Sequence, residues 1–152
     1  MPEMIRLSNG GTDVLVDVTT GAPTIVHWGA SLGAEVDLAS VLLSLSRPIV
    51  HGTVDSVAPV STVPEHALGF TGRPGLMGRR GGGLAWAPQF SAVSHHLSSD
   101  SKRLSVDAID AVAELGLNVT FLLDDVLHVW ATLTTTGDRR YSVDGLTVTL
   151  PV

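Results

Sequence analysis

From Ala113 the chain alternates with a period of two: Ala113, Leu115, Leu117, Val119, Phe121 and Leu123 are separated by Glu114, Gly116, Asn118, Thr120 and Leu122. Successive side chains of an extended strand point to opposite faces, so this pattern demands a strand with one face in a core and the other turned away from it. A second run, Leu127-His128-Val129-Trp130-Ala131-Thr132-Leu133-Thr134, follows Asp124-Asp125, residue types that favour turns. The two runs read as a hairpin. A two-residue loop would set Val126, His128 and Trp130 beside Leu123, Phe121 and Val119. One more loop residue aligns the two odd-numbered apolar sets instead, and the alternation prefers this register. Trp130, on a central strand, is expected in the core.

Sixteen glycines and eight prolines, with clusters of Ser and Thr, cut the rest of the chain into short segments. That punctuation favours a mainly β fold. Thr12 to Thr19 and Thr24 to Ala30 read as strands joined at Gly21-Ala22-Pro23, and Leu84 to Leu97, Arg103 to Ile109 and Tyr141 to Leu150 as further strands. One helix is expected, because Leu38, Val41, Leu42 and Leu45 share a helical face, Asp37 can cap the start and Pro48 stands past the end. Val57 to Gly83 is rich in glycine and proline and carries no stable periodicity. The expected architecture is an antiparallel β-sandwich, incomplete, with one short helix. An ending on the strand Leu146 to Val152 suggests a fragment of a longer polypeptide.

Composition narrows the function classes. The 152 residues suffice for one domain with a core. No run approaches the roughly 18 apolar residues of a membrane span, and the amino end carries neither a signal-peptide nor a transit-peptide pattern, so no membrane partner is expected and cytoplasmic residence is the simplest reading. The absence of cysteine excludes disulfides, thiolate zinc sites and a cysteine nucleophile. A net charge of −6 without a basic cluster argues against nucleic-acid binding.

Few constellations carry chemistry. Gly69-Phe70-Thr71-Gly72-Arg73-Pro74-Gly75-Leu76-Met77-Gly78-Arg79-Arg80-Gly81-Gly82-Gly83 lacks the strand-to-helix context of a phosphate cradle and reads as one loop. It is either an irregular surface connection or a loop that presents Arg73 and aromatic rings to a ligand or a neighbouring domain. Trp86, just after it, is the most plausible exposed ring. His95-His96, adjacent on a strand, would point to opposite faces and cannot easily share a metal ion. Asp124-Asp125 are turn residues and cannot flank a scissile bond. No catalytic, metal or cofactor site is expected.

The succession His27-Trp28-Gly29-Ala30, Arg47-Pro48, Val63-Pro64-Glu65, Gly69-Phe70-Thr71-Gly72-Arg73-Pro74-Gly75-Leu76, Gly78-Arg79-Arg80, Trp86-Ala87-Pro88-Gln89-Phe90 and the closing Leu146 to Pro151 strand resembles the amino-terminal domain of bacterial α-galactosidases of glycoside hydrolase family 36. The resemblance covers almost the whole chain. It implies a β-supersandwich that precedes a (β/α)8 barrel in the same polypeptide. It also implies retaining hydrolysis of terminal α-galactosides by two barrel aspartates that have no counterpart here. A barrel needs about 250 residues, so this chain is expected to be inactive alone and to stop short of it.

The resemblance further implies a homo-oligomer and a loop of this domain at the rim of an active site, in some members across a subunit interface. By position that loop is Phe70 to Pro74, which makes Phe70, Arg73 and Trp86 the expected sugar-contacting residues. Other members carry an Asp-Phe-Arg-type motif in this region, and Gly72-Arg73-Pro74 lacks the acid. Three functions compete: a non-catalytic domain that shapes the rim and the homo-oligomer of an α-galactosidase, a free-standing carbohydrate-binding module, and a structural sandwich whose loop docks a partner protein.

Overall fold

The structure, a computed structural model, describes residues 3–45 and 60–151. Among the described residues the chain forms β1 (Met4–Ser8), β2 (Thr12–Asp17), β3 (Thr24–Ala30), α1 (Leu38–Leu45), β4 (Leu76–Arg79), β5 (Ser91–Leu97), β6 (Arg103–Asp110), β7 (Leu115–Leu123), β8 (Leu127–Thr135) and β9 (Ser142–Leu146). They make three antiparallel sheets, β1-β2-β3, β4-β9 and β5-β6-β7-β8. The mainly β, antiparallel expectation holds, as a partial sandwich with one α-helix and no closed barrel among the described residues.

The β7–β8 hairpin has the longer of the two loops considered: Leu123 pairs with Leu127, Phe121 with Val129 and Val119 with Ala131. Both odd-numbered apolar sets therefore face one side. Leu115, Leu117, Val119, Phe121 and Leu123 join Leu104, Val106 and Ala108 of β6 in a core that also takes Leu7, Val14 and Val16 of the first sheet. Trp130 is a correction. It belongs to the even set of β8, so it faces away from the core and stays 39% exposed. Its strand partner is Thr120, and the Arg103 guanidinium sits 5.6 Å from the ring centroid, a cation–π contact on the sheet's outer face.

Other boundaries shift. β1 was not anticipated from the sequence; it pairs with β2 through Leu7 and Val14. The expected strand from Leu84 begins only at Ser91, and the Tyr141 to Leu150 strand is ordered as β9 over Ser142–Leu146. β9 pairs with β4, inside a passage that showed no periodicity, and the line is continued by hydrogen bonds from Thr147 N to Gly75 O (2.7 Å) and from Thr149 N to Thr62 O (2.8 Å). The helix forms where expected, with Asp37 accepting the Ala39 (3.1 Å) and Ser40 (3.3 Å) N–H groups. None of its residues is buried. Pro48 lies outside the described residues.

β2 is buried along both faces. Asp13 is fully covered there, and its Oδ2 accepts hydrogen bonds from Arg6 Nη2 (2.7 Å), Leu32 N (2.6 Å) and Ser31 Oγ (3.1 Å). Burial alone would push this carboxyl up. The bonds from Leu32, Arg6 and Ser31, with the favourable influence of the Ser8 hydroxyl, outweigh it and hold the carboxyl below the ordinary aspartate value. A depressed folded-state value stabilises the fold above the free value of about 3.9 and loses that stabilisation as pH falls through the folded value. Urea unfolding should therefore show Asp13→Asn less stable than the parent at pH 7, with the gap shrinking as pH drops below about 4.

Candidate functional site

The glycine- and arginine-rich stretch is not one loop. β4 runs through it and separates a loop over residues 65–75 from a tight turn at Gly81–Gly83. The three arginines part accordingly. Arg79 is exposed and pairs with Asp144 at 3.0 Å across the β4–β9 ladder. Arg80 is buried, its Nε and Nη2 donating to Ala113 O at 3.0 and 2.7 Å, Nη2 also to Glu114 O at 3.1 Å, and Nη1 to Arg139 O. Of the three, Arg73 lies in the 65–75 loop as an exposed residue.

The 65–75 loop is closed on itself. At its base, Gly75 N donates to Pro64 O at 2.8 Å. A short 3-10 turn, His66–Leu68, ends on Gly69 in the left-handed conformation, at φ 88°. Across the loop His66 Nε2 lies 2.9 Å from Gly72 O, within hydrogen-bond distance. The half-buried Phe70 ring folds over Gly72, where an added Cβ would lie 2.7 Å from Phe70 Cζ. Glycine at 72 is thus what lets the ring lie against the backbone.

Trp86 is 62% exposed, as expected from its position after the glycines. Its ring meets His66 edge-on, with centroids 6.1 Å apart and planes at 65°. His66 therefore joins Trp86 to the loop that carries Phe70 and Arg73. Sequence reasoning did not single out His66. The only signal was its place directly after Val63-Pro64-Glu65, a segment that shares in the family resemblance. Pro64, Glu65, Pro74, Leu76, Ala87, Pro88 and Phe90 complete the walls, and the cleft leaves about 10 Å³, the room of a single water molecule. Pockets for small organic ligands run to about 300–1,000 Å³. The arrangement is a rim and not a pocket.

Beneath the rim lies Glu65, only 4% exposed. Its Oε1 accepts Ala22 N at 2.9 Å and its Oε2 accepts Phe90 N at 2.7 Å. Burial pushes the carboxyl above the ordinary glutamate value; the two N–H groups pull it partly back, and the charge of Asp110 adds to the rise. The sign is opposite to that of Asp13. Protonated Glu65 favours the fold, fully so below the free glutamate value, and this contribution is lost as pH rises through the folded value.

A broader groove of about 650 Å³ shares Ala87 with the cleft and is lined by Gln89, Val93, Ile109, Asp110 and Val112. It has few free polar groups. Asp110 Oδ2 accepts Gln89 N at 2.8 Å, while Oδ1 accepts Val112 N at 2.9 Å and Ala113 N at 2.8 Å. Its walls are exposed apolar surface, with Val93 55% and Val112 90% accessible. Among the described residues no group of His, Asp and Glu could hold a metal ion, and no helix is long and apolar enough to cross a membrane.

An Escherichia coli protein named alpha-galactosidase is 31% identical over 151 residues, a match covering 97% of this chain but 20% of the relative. The chain thus spans a fifth of the length of that relative. The model of the Glycosyl hydrolase family 36 N-terminal domain matches residues 21–152, which include the loop, the buried Glu65, Trp86 and every strand from β3 onward. The chain belongs to the glycosyl hydrolase family 36 N-terminal domain family.

Proposed function

We propose that this chain is the non-catalytic amino-terminal domain of an α-galactosidase, and that its 65–75 loop, with Trp86, forms part of the rim of a sugar site whose reacting groups lie on a downstream barrel. Phe70, Arg73 and Trp86 are the residues assigned to sugar contact. The observation that carries the reading is a self-closed loop that bears the exposed Arg73 and is joined through His66 to an exposed indole, over a cleft of only about 10 Å³. Such a surface offers a stacking face and hydrogen-bond donors but cannot enclose a sugar ring, so the remaining walls must come from elsewhere. This favours a rim over a free-standing carbohydrate-binding module. The exposed apolar residues Leu84, Val93 and Val112 support a domain that packs against further protein, as in a homo-oligomer.

The test is a chromogenic α-galactoside assay. The chain alone should show no turnover above a buffer blank, and calorimetry with galactose or raffinose should show no saturable heat. The polypeptide that continues into the barrel should hydrolyse the substrate, with KM raised in Phe70→Ala, Arg73→Ala and Trp86→Ala. Saturable sugar binding by the chain alone, abolished in Trp86→Ala, would establish the binding-module alternative instead.

A further inference from the structure

Trp86 and the 65–75 loop are separate in sequence, and besides the His66–Trp86 ring contact a buried side chain links their segments. The Glu65 carboxylate receives one N–H from 43 residues before it, at Ala22, and one from 25 residues after it, at Phe90. Its own backbone carbonyl accepts Leu68 N (3.2 Å) and Phe70 N (3.3 Å), which shapes the first half of the loop. On the far side, Phe90 N is the end of the Trp86-Ala87-Pro88-Gln89 segment, whose Gln89 N is held in parallel by Asp110.

The Gly21–Ala22 turn presses on the same carboxylate. A Cβ on Gly21, which sits at φ +68°, would lie 2.9 Å from Leu68 Cδ1 and 3.0 Å from Glu65 Oε1. Two converging N–H donors need a group that accepts on both of its ends. A carboxylate does so, whereas a glutamine amide offers one acceptor and one donor, and leucine offers neither. If filling this space were the sole requirement, an apolar side chain would avoid the cost of burying a charge.

We propose that Glu65 is the positioning residue of the site: by bonding Ala22 N and Phe90 N at once, it fixes the Phe70–Arg73 loop and Trp86 in one geometry. The assignment of that geometry to sugar contact rests on the function proposed above; the positioning itself does not.

The chain itself serves for the experiment, in a Trp28→Phe, Trp130→Phe background where Trp86 is the sole indole. Glu65→Gln keeps the size of the side chain but can satisfy only one of the two donors. It should retain cooperative thermal unfolding, while amide exchange at Gly69, Phe70 and Phe90 rises by about tenfold and acrylamide quenching of Trp86 increases, with β7 amides unchanged. Gly21→Ala pushes on the same contact with the charge intact and should loosen the same amides, so a Glu65→Gln chain that fails to fold leaves a decisive second measurement. Unchanged exchange at the loop and Trp86 segment in the folded variants would overturn the proposal, as would an increase spread evenly into β7. In the barrel-containing polypeptide Glu65→Gln should raise KM and leave kcat nearly unchanged. A loop loosened by Glu65→Gln together with an unaltered KM in Phe70→Ala, Arg73→Ala and Trp86→Ala would keep the positioning role and reject the sugar-facing assignment.

Discussion

Arg80→Ala is expected to lower the unfolding free energy by about 3–5 kcal/mol, a large part of the roughly 5–15 kcal/mol that holds a domain of this kind together. The guanidinium is 4% exposed and serves three carbonyl oxygens, those of Ala113, Glu114 and Arg139. Its truncation strands these acceptors. It also unties the β6–β7 connection from the segment after β4 and removes the cation over the Tyr141 ring, 5.8 Å away. Arg80→Lys should recover little, since an ammonium cannot reproduce the planar fork. The control is next door. Arg79 pairs with Asp144 in the open, with both side chains more than half exposed, and Arg79→Ala should change stability by less than about 1 kcal/mol. Urea titration at neutral pH resolves the contrast, and equal effects at the two positions would contradict the buried clamp.

The second large effect belongs to β7. Phe121 is fully buried in the shared core, so Phe121→Ala should cost about 3–5 kcal/mol through lost transfer energy and the cavity left behind. Trp130→Ala removes a larger side chain and should cost only about 1–2 kcal/mol, because the ring rests on the outer face of the sheet and its loss leaves no internal void. The order reverses what residue size alone would suggest. Thermal or urea unfolding in which Trp130→Ala is the more damaging change would mean that β8 is turned over relative to β7.

This pair also shows how far the sequence carries. The alternation through Ala113 to Leu123 was enough for the hairpin, its longer loop and its register, since period-two patterning is a local property of the chain. The same register requires Trp130 to face outward, yet its expected place on a central strand argued for the core, and β8 is in fact the outer strand of its sheet. Parity along the strand prevailed over that expectation. β1 and β4 lacked a local signature of comparable length, and each is defined by a partner elsewhere, β2 and β9.

The site divides in the same way. Gly69 to Pro74 and Trp86 were legible as loop and exposed ring, because glycine, proline and an isolated aromatic carry meaning where they stand. The splitting of the three arginines was not legible: one exposed in a loop, one in an exposed pair, one sealed against carbonyls. Nor was the choice of Glu65 to receive donors 43 residues upstream and 25 downstream. The strand-rich class, the hairpin and the family were readable from period, turn chemistry and the order of short motifs. Which charged groups are buried and which face solvent was set by the folded arrangement, because a charge is sealed in or left free by whatever backbone donors and acceptors the fold brings against it.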